Sequence, residues 1–190
     1  MGVREGHRDR YVRDVSSDRG AIELALAEAA CLAVIATAPE PLHGWALVKD
    51  LAPGGPLGRI WSLSRPLTYR AIDQLTALAL VVRHGEQPGK GADRRLLGPT
   101  PDGAALASKW LASPVQHLRD VRTELLLKLA LCERSDRPTG PLVAAQLELF
   151  GPRLVQLLEL AEPGDLVARW RRAQATSILA FLRELHDDVP

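Results

Sequence analysis

Cysteine is almost absent from this sequence. Cys31 and Cys132 are the only two, far apart and each inside an apolar helical stretch. That placement speaks against a disulfide or a thiolate metal site and predicts two buried, reduced thiols. There is no CxxC and no paired-histidine spacing. The five histidines (His7, His43, His84, His117 and His186) are scattered, none beside a Ser/Asp or metal partner, and read as surface or loop residues. Without a nucleophile–base pair, a metal-ligand cluster or a phosphate loop, an enzyme is not expected, and neither is a cofactor. No apolar run reaches about 18 residues without a charge, so no transmembrane helix and no membrane partner are expected. The first twenty residues hold five Arg against four Asp/Glu and no apolar core, so they are not read as a signal peptide. A cytoplasmic protein fits these absences. A net charge of +1 sets up no global field, so any attraction for a nucleic acid must be local.

What is present is enough apolar residue for a core, 46% of 190 residues. Residues 1–20 read as a polar arm. Ser17 or Asp18 is placed to cap a helix through "AIELALAEAACLAVIATA", which stops at Pro39 and Pro41. "HGWALVKDLA" reads as a second helix with Trp45, Leu47, Val48 and Leu51 inward. "PGGPLGRIWSL" is a Pro/Gly loop, with Trp61 expected in the core. Ser64 then caps a third helix with Pro66 in its first turn. "LVVRHGE" and "RRLLG" read as a β-hairpin around the turn "QPGKGAD". Thr100 caps a fourth helix, with Pro101 in its first turn, running to about Ala112.

From Pro114 the composition shifts to amphipathic helix. "PVQHLRDVRTELLLKLALCER" reads as one helix. "PLVAAQLELFGPRLVQLLELAE" reads as another, interrupted at Gly151-Pro152. The last carries Leu166, Trp170, Ala173, Ile178, Phe181, Leu182 and Leu185 as one broad apolar stripe, with Arg171 and Arg172 on a solvated face. Three helices and a two-stranded wing predict a winged helix-turn-helix domain over residues 21–112. Residues 113–190 are predicted to form a helical dimerisation domain. The fold class expected is mainly α with a small β-hairpin.

The third helix looks like a reader. Stepping about 100° per residue from Leu67, the positions Leu67, Leu78, Ala71, Leu75, Ala79 and Ile72 fall within about 140°, with Thr68 the only polar residue inside. The other side carries Arg65, Tyr69, Arg70, Asp73, Gln74 and Thr76, whose forks, hydroxyls and amide match phosphates and base edges. From Gly58 to Pro99 there are seven Lys/Arg against three acids, a local excess of four in a chain of net +1, whereas 114–190 carries ten against eleven. Positive charge gathered on a helix and wing is what phosphate contact requires. The expected DNA contacts are Ser64, Arg65, Thr68, Tyr69, Arg70 and Gln74 from the helix, and Arg83, His84, Lys90, Arg94 and Arg95 from the wing. A reading of another class is a winged helix that uses the Arg-rich face to bind an acidic protein partner.

The stretches "PEPLHGWALVKDL", "IWSLSRPLTYRAIDQLTALALVV" and "RRLLGPTPDGAALASKWL", covering roughly residues 25–112, resemble the PadR family of transcriptional regulators. The helical tail resembles that of the larger PadR type. Trp45, the "RPLTY" segment and Leu97 depart from the family's usual residues. The resemblance implies a homodimer on double-stranded DNA, mostly a repressor, sometimes released by a small molecule. It also implies that an aromatic on the fourth helix, here Trp110, lines an effector pocket, with packing between domains as its other reading. Trp170 is expected in the dimer or tail core.

Overall fold

A computed structural model describes residues 22–85, 95–160 and 165–187. The arm over 1–20, the caps Ser17 and Asp18, the hairpin turn, Lys90 and Arg94 lie outside the described residues. Helix α1 (Leu26–Thr37) is followed by strand β1 (Leu42–His43), α2 (Gly44–Leu51) and α3 (Arg65–Ala77). Strands β2 (Val81–His84) and β3 (Leu96–Pro99) form the wing, and α4 (Pro101–Ala112) closes the unit. The sheet is antiparallel in the order β1-β3-β2, with Leu42 opposite Leu97 and Val81 opposite Pro99. This order of helices and strands is a winged helix-turn-helix, in a mainly helical chain.

The seven consecutive residues Ala29–Ile35 of α1 are all buried, because α3, α4 and α5 (Leu126–Arg134) pack around it. A helix that is apolar all round has no other stable place. It begins at Leu26, later than the caps at 17 and 18 imply. In α2 the phase set by its start buries Gly44, Leu47 and Leu51. Trp45, expected inward, lies on the opposite side and is exposed. Strand β1 was not legible in advance, since its two residues are held only by pairing with β3.

The two helix starts marked by proline differ in chemistry. Thr100 caps α4 as expected: its Oγ1 accepts from Gly103 N at 3.0 Å and donates to Ala79 O at 2.9 Å. Gly103 must be glycine, because a Cβ there would stand 2.0 Å from the Leu80 carbonyl oxygen. Ser64 occupies the N-cap of α3, but its side chain makes no capping bond. Its carbonyl instead accepts from Thr68 N at 2.9 Å and Thr68 Oγ1 at 3.1 Å.

Beyond α4 the chain is less regular than one helix. A 3-10 turn (Leu118–Asp120) and a π turn (Val121–Leu125) lead into α5. Helix α6 (Gly140–Leu160) runs unbroken through Pro152. Phe150 and Leu154, on either side of that proline, are fully buried and anchor both halves of the helix while Pro152 faces solvent. Helix α7 (Leu166–Asp187) packs on α6 through Ala175, Leu179 and Leu182. Ala175 was not in the expected stripe, and Leu166, Ala173 and Trp170 from that stripe are exposed. Two cores result. One joins α1–α4 and the sheet, the other α6, α7, Val115 and Val121. Helix α5 serves both, giving Leu127, Leu131 and Cys132 to the first and Leu129 to the second. Both cysteines are buried free thiols, and burial, with Glu28 adding, pushes Cys31 up to about 12.

Candidate nucleic-acid interface

Helix α3 buries Thr68, Ala71, Ile72 and Leu75, an arc of about 100° at helical spacing. Arg65, Leu67, Arg70, Asp73 and Gln74 are exposed. Arg70 and Gln74 are one turn apart and share the outward face. The expected apolar arc is too wide: Leu67, Leu78 and Ala79 are exposed, while Thr68 lies in the core with the rest of the arc. Thr68, expected to touch DNA, is fully buried with its hydroxyl spent on the Ser64 carbonyl, so its side chain is removed from the reading face. Leu67, expected in the core, is 48% exposed one turn from Arg70.

Tyr69 is half-buried. Its ring lies so near α2 that a Cβ on Gly44 would be 3.2 Å from Tyr69 Cε1, and its hydroxyl is buried with no hydrogen-bond partner among the described residues. The phenol is therefore packed into the fold rather than projected outward. The Arg65 guanidinium sits 5.6 Å from the centre of that ring. Ser64 is exposed at the helix start.

The wing brings its cations to α3. Arg83 on β2 donates from Nη2 to Asp73 Oδ1, an ion pair that ties wing to helix. Arg83, Arg95, Asp73 and Tyr69 line one cleft of about 190 Å³ between α3 and the sheet. His84 is exposed, with its ring over Gly98 across the hairpin. Of the expected contacts, Arg65, Arg70 and Gln74 are exposed on the helix and Arg83, His84 and Arg95 on the wing, with Arg83 and Arg95 sharing the cleft against α3.

A second feature lies behind that surface. A cavity of about 460 Å³ opens between α1, α4 and the start of the second core, with Leu24, Leu26, Leu32, Leu106 and Trp110 among its walls. Its volume falls in the usual ligand range of about 300–1,000 Å³. Lys128 closes one end and is 1% exposed. Its Nζ donates to Ser113 O at 2.8 Å, pairs with Glu124 Oε1 at 2.7 Å, and stands 4.8 Å from the centre of the Trp110 ring. Burial lowers its pKa, and Glu124 opposes that shift. Sequence reasoning missed Lys128. The one available signal was a lysine inside the apolar run "LLLKLAL" with a glutamate four residues earlier.

Among the described residues no group of three or more His, Cys, Asp or Glu is placed to hold a metal, and no helix is long and apolar enough to cross a membrane.

The fold therefore belongs to the winged helix-turn-helix class. No family model matches the chain, and no curated protein matches it. Among solved structures it is similar to Bacillus subtilis PadR in complex with operator DNA, at 18% identity over 85% of this chain and 98% of that chain, with a TM-score of 0.44.

Proposed function

We propose that this chain is a sequence-specific DNA-binding transcription regulator. It acts as a cytoplasmic repressor on an inverted-repeat operator, bound as a homodimer. The observation that carries this is that the wing cations Arg83 and Arg95 share one cleft with Tyr69 and Asp73 of α3, the helix whose exposed side also carries Arg70 and Gln74. Arg70 and Gln74 enter the major groove, where a guanidinium pairs with guanine and an amide with adenine. The wing cations hold the flanking phosphates. Residues 21–112 form the DNA-binding domain and 113–190 the dimerisation domain.

Helix and wing fail differently in this reading. Arg70→Ala or Gln74→Ala should cost roughly 1–3 kcal/mol on the operator and less on random duplex. Arg95→Ala should weaken both duplexes alike and reduce the salt slope by about one unit per protomer contact. Selection from a random duplex pool supplies the operator, and titrations at several salt concentrations make the comparison. If the α3 variants lose equally on both duplexes, α3 is not the reader. If all variants bind as the parent does, the face binds an acidic protein partner instead.

Release by a small aromatic or hydrophobic effector belongs to the same reading. The Trp110 cavity touches α1 and α4 of the reading unit and Glu124 and Lys128 beyond it. A ligand seated there is placed to change how the two recognition helices are spaced. The coupling required is on the order of 1–3 kcal/mol. In a variant that keeps Trp110 as its only tryptophan, effectors that lower DNA affinity should change its fluorescence, and Trp110→Ala should weaken their binding. Effective ligands that leave both unchanged would place the pocket elsewhere.

A further inference from the structure

Asp73 is out of place on a surface built for a polyanion. It is the single acid among the described residues of α3, β2 and β3, its side chain is 68% exposed, and it lies one turn from Arg70 and Ala77 and next to Gln74. An exposed carboxylate there repels every phosphate that approaches. Thr, Asn or Gln would serve solubility without that repulsion. In the free protein Arg83 neutralises it from the wing. In the DNA-bound form proposed above, phosphates would compete for the Arg83 guanidinium and leave the Asp73 carboxylate to face the groove.

We infer that Asp73 is a specificity-determining residue that reads cytosine. This rests on the DNA-binding reading above and deepens it. An ionised carboxylate only accepts hydrogen bonds. In the major groove two bases offer it a donor, cytosine through its N4 amino group and adenine through N6. The adenine donor is flanked by two acceptors, its own N7 and the O4 of the paired thymine, whereas the cytosine donor has an acceptor on one side only, the O6 of the paired guanine; guanine and thymine offer no donor, so cytosine is the base that a carboxylate tolerates best. Arg83 keeps Asp73 paired until phosphates take its place. The repulsion toward all DNA is thus offset where a cytosine meets Asp73, and discrimination comes as much from rejecting wrong sites as from holding the right one.

Parallel selections from one random duplex pool test this, using the full chain as the parent, Asp73→Asn and Arg83→Gln. The pair is on the surface, so all three are expected to fold, which a thermal melt checks. The parent should fix a cytosine at one position of each half-site. Asp73→Asn should relax that position by about fivefold or more while keeping the others, and should bind random duplex more tightly than the parent. Arg83→Gln should keep the cytosine and weaken operator and random duplex together. Equal enrichment of the same cytosine by Asp73→Asn overturns the inference. So does an Asp73→Asn variant that weakens both duplexes as Arg83→Gln does, since Asp73 would then only position Arg83. A parent that enriches no sequence overturns the DNA-binding reading itself, a result distinct from the other two.

Discussion

Replacing Lys128 by alanine is expected to destabilise the protein by about 3–5 kcal/mol. The ammonium is almost out of water and has three partners: the Ser113 carbonyl, the Glu124 carboxylate and the Trp110 face. Ser113 is where α4 ends, and Glu124 stands in the π turn before α5. Lys128 therefore ties the end of the winged helix to the chain that follows. Removing it leaves a carbonyl and a carboxylate without their donor and opens a void beneath Trp110. Lys128→Met combined with Glu124→Gln should recover most of the loss, because it refills the volume and removes the stranded charge. Denaturant unfolding measures all three proteins. An alanine variant that unfolds with the parent would mean the pair holds nothing together. The pH dependence has a definite sign. Burial lowers the Lys128 pKa below its ordinary 10.5, the largest of its causes. Between the lowered value and 10.5 the unfolded chain binds a proton that the folded chain does not, so this group's contribution to stability rises with pH across that window. Relative to the double variant, the parent should gain stability as pH rises toward 10.5.

Lys128 also marks where reading a sequence stops. Its apolar neighbours identify a buried helix, but a partner such as the Ser113 carbonyl lies fifteen residues away and is brought near only by the turns over 118–125. Signals that act within a few residues were legible. Thr100-Pro101 and Ser64-Arg65-Pro66 start helices where they stand, Ala112 ends α4, and the two wing strands pair where expected. Readings that depend on a docking direction shifted. The apolar arc of α3 is narrower than spacing alone implies: α1, α2 and β2 contact the helix, only Thr68, Ala71, Ile72 and Leu75 are buried, and Leu67 and Leu78 are left outside. Tyr69 is drawn toward the glycine at 44, a contact that needs α2 already in place. Pro152 should interrupt a helix in isolation, but packing of Phe150 and Leu154 overrides it. For α7 spacing predicts one broad stripe, but Leu166, Val167 and Trp170 are exposed on a side away from the buried Ala175, Leu179 and Leu182.

That second face carries the largest expected effect on binding. Ala175, Leu179 and Leu182 of α7 meet α6, while Leu166, Val167 and Trp170 point between about a quarter and a half of a circle away. Those three are 79%, 54% and 62% exposed, and Val155 of α6 adds a fourth exposed apolar side chain. An amphipathic helix with an uncovered apolar face gains most by burying it. In the proposed dimer a second copy covers it through a two-fold contact, each Trp170 meeting the partner's α7. Dimerisation then sets operator affinity by tethering. Once one recognition helix is docked, the other meets its half-site at an effective concentration near millimolar, worth about 10²- to 10⁴-fold over one half-site alone. Val167→Glu with Trp170→Glu should therefore give a folded monomer, since neither side chain belongs to a core, and operator affinity should fall by about a hundredfold or more. Random duplex should lose far less in proportion. Sedimentation equilibrium reads the oligomeric state, and operator titration of the same samples reads the consequence. A double variant that stays dimeric puts the interface on another face. A monomer that keeps full operator affinity means that one winged helix reads its site alone, and the inverted-repeat operator has to be given up.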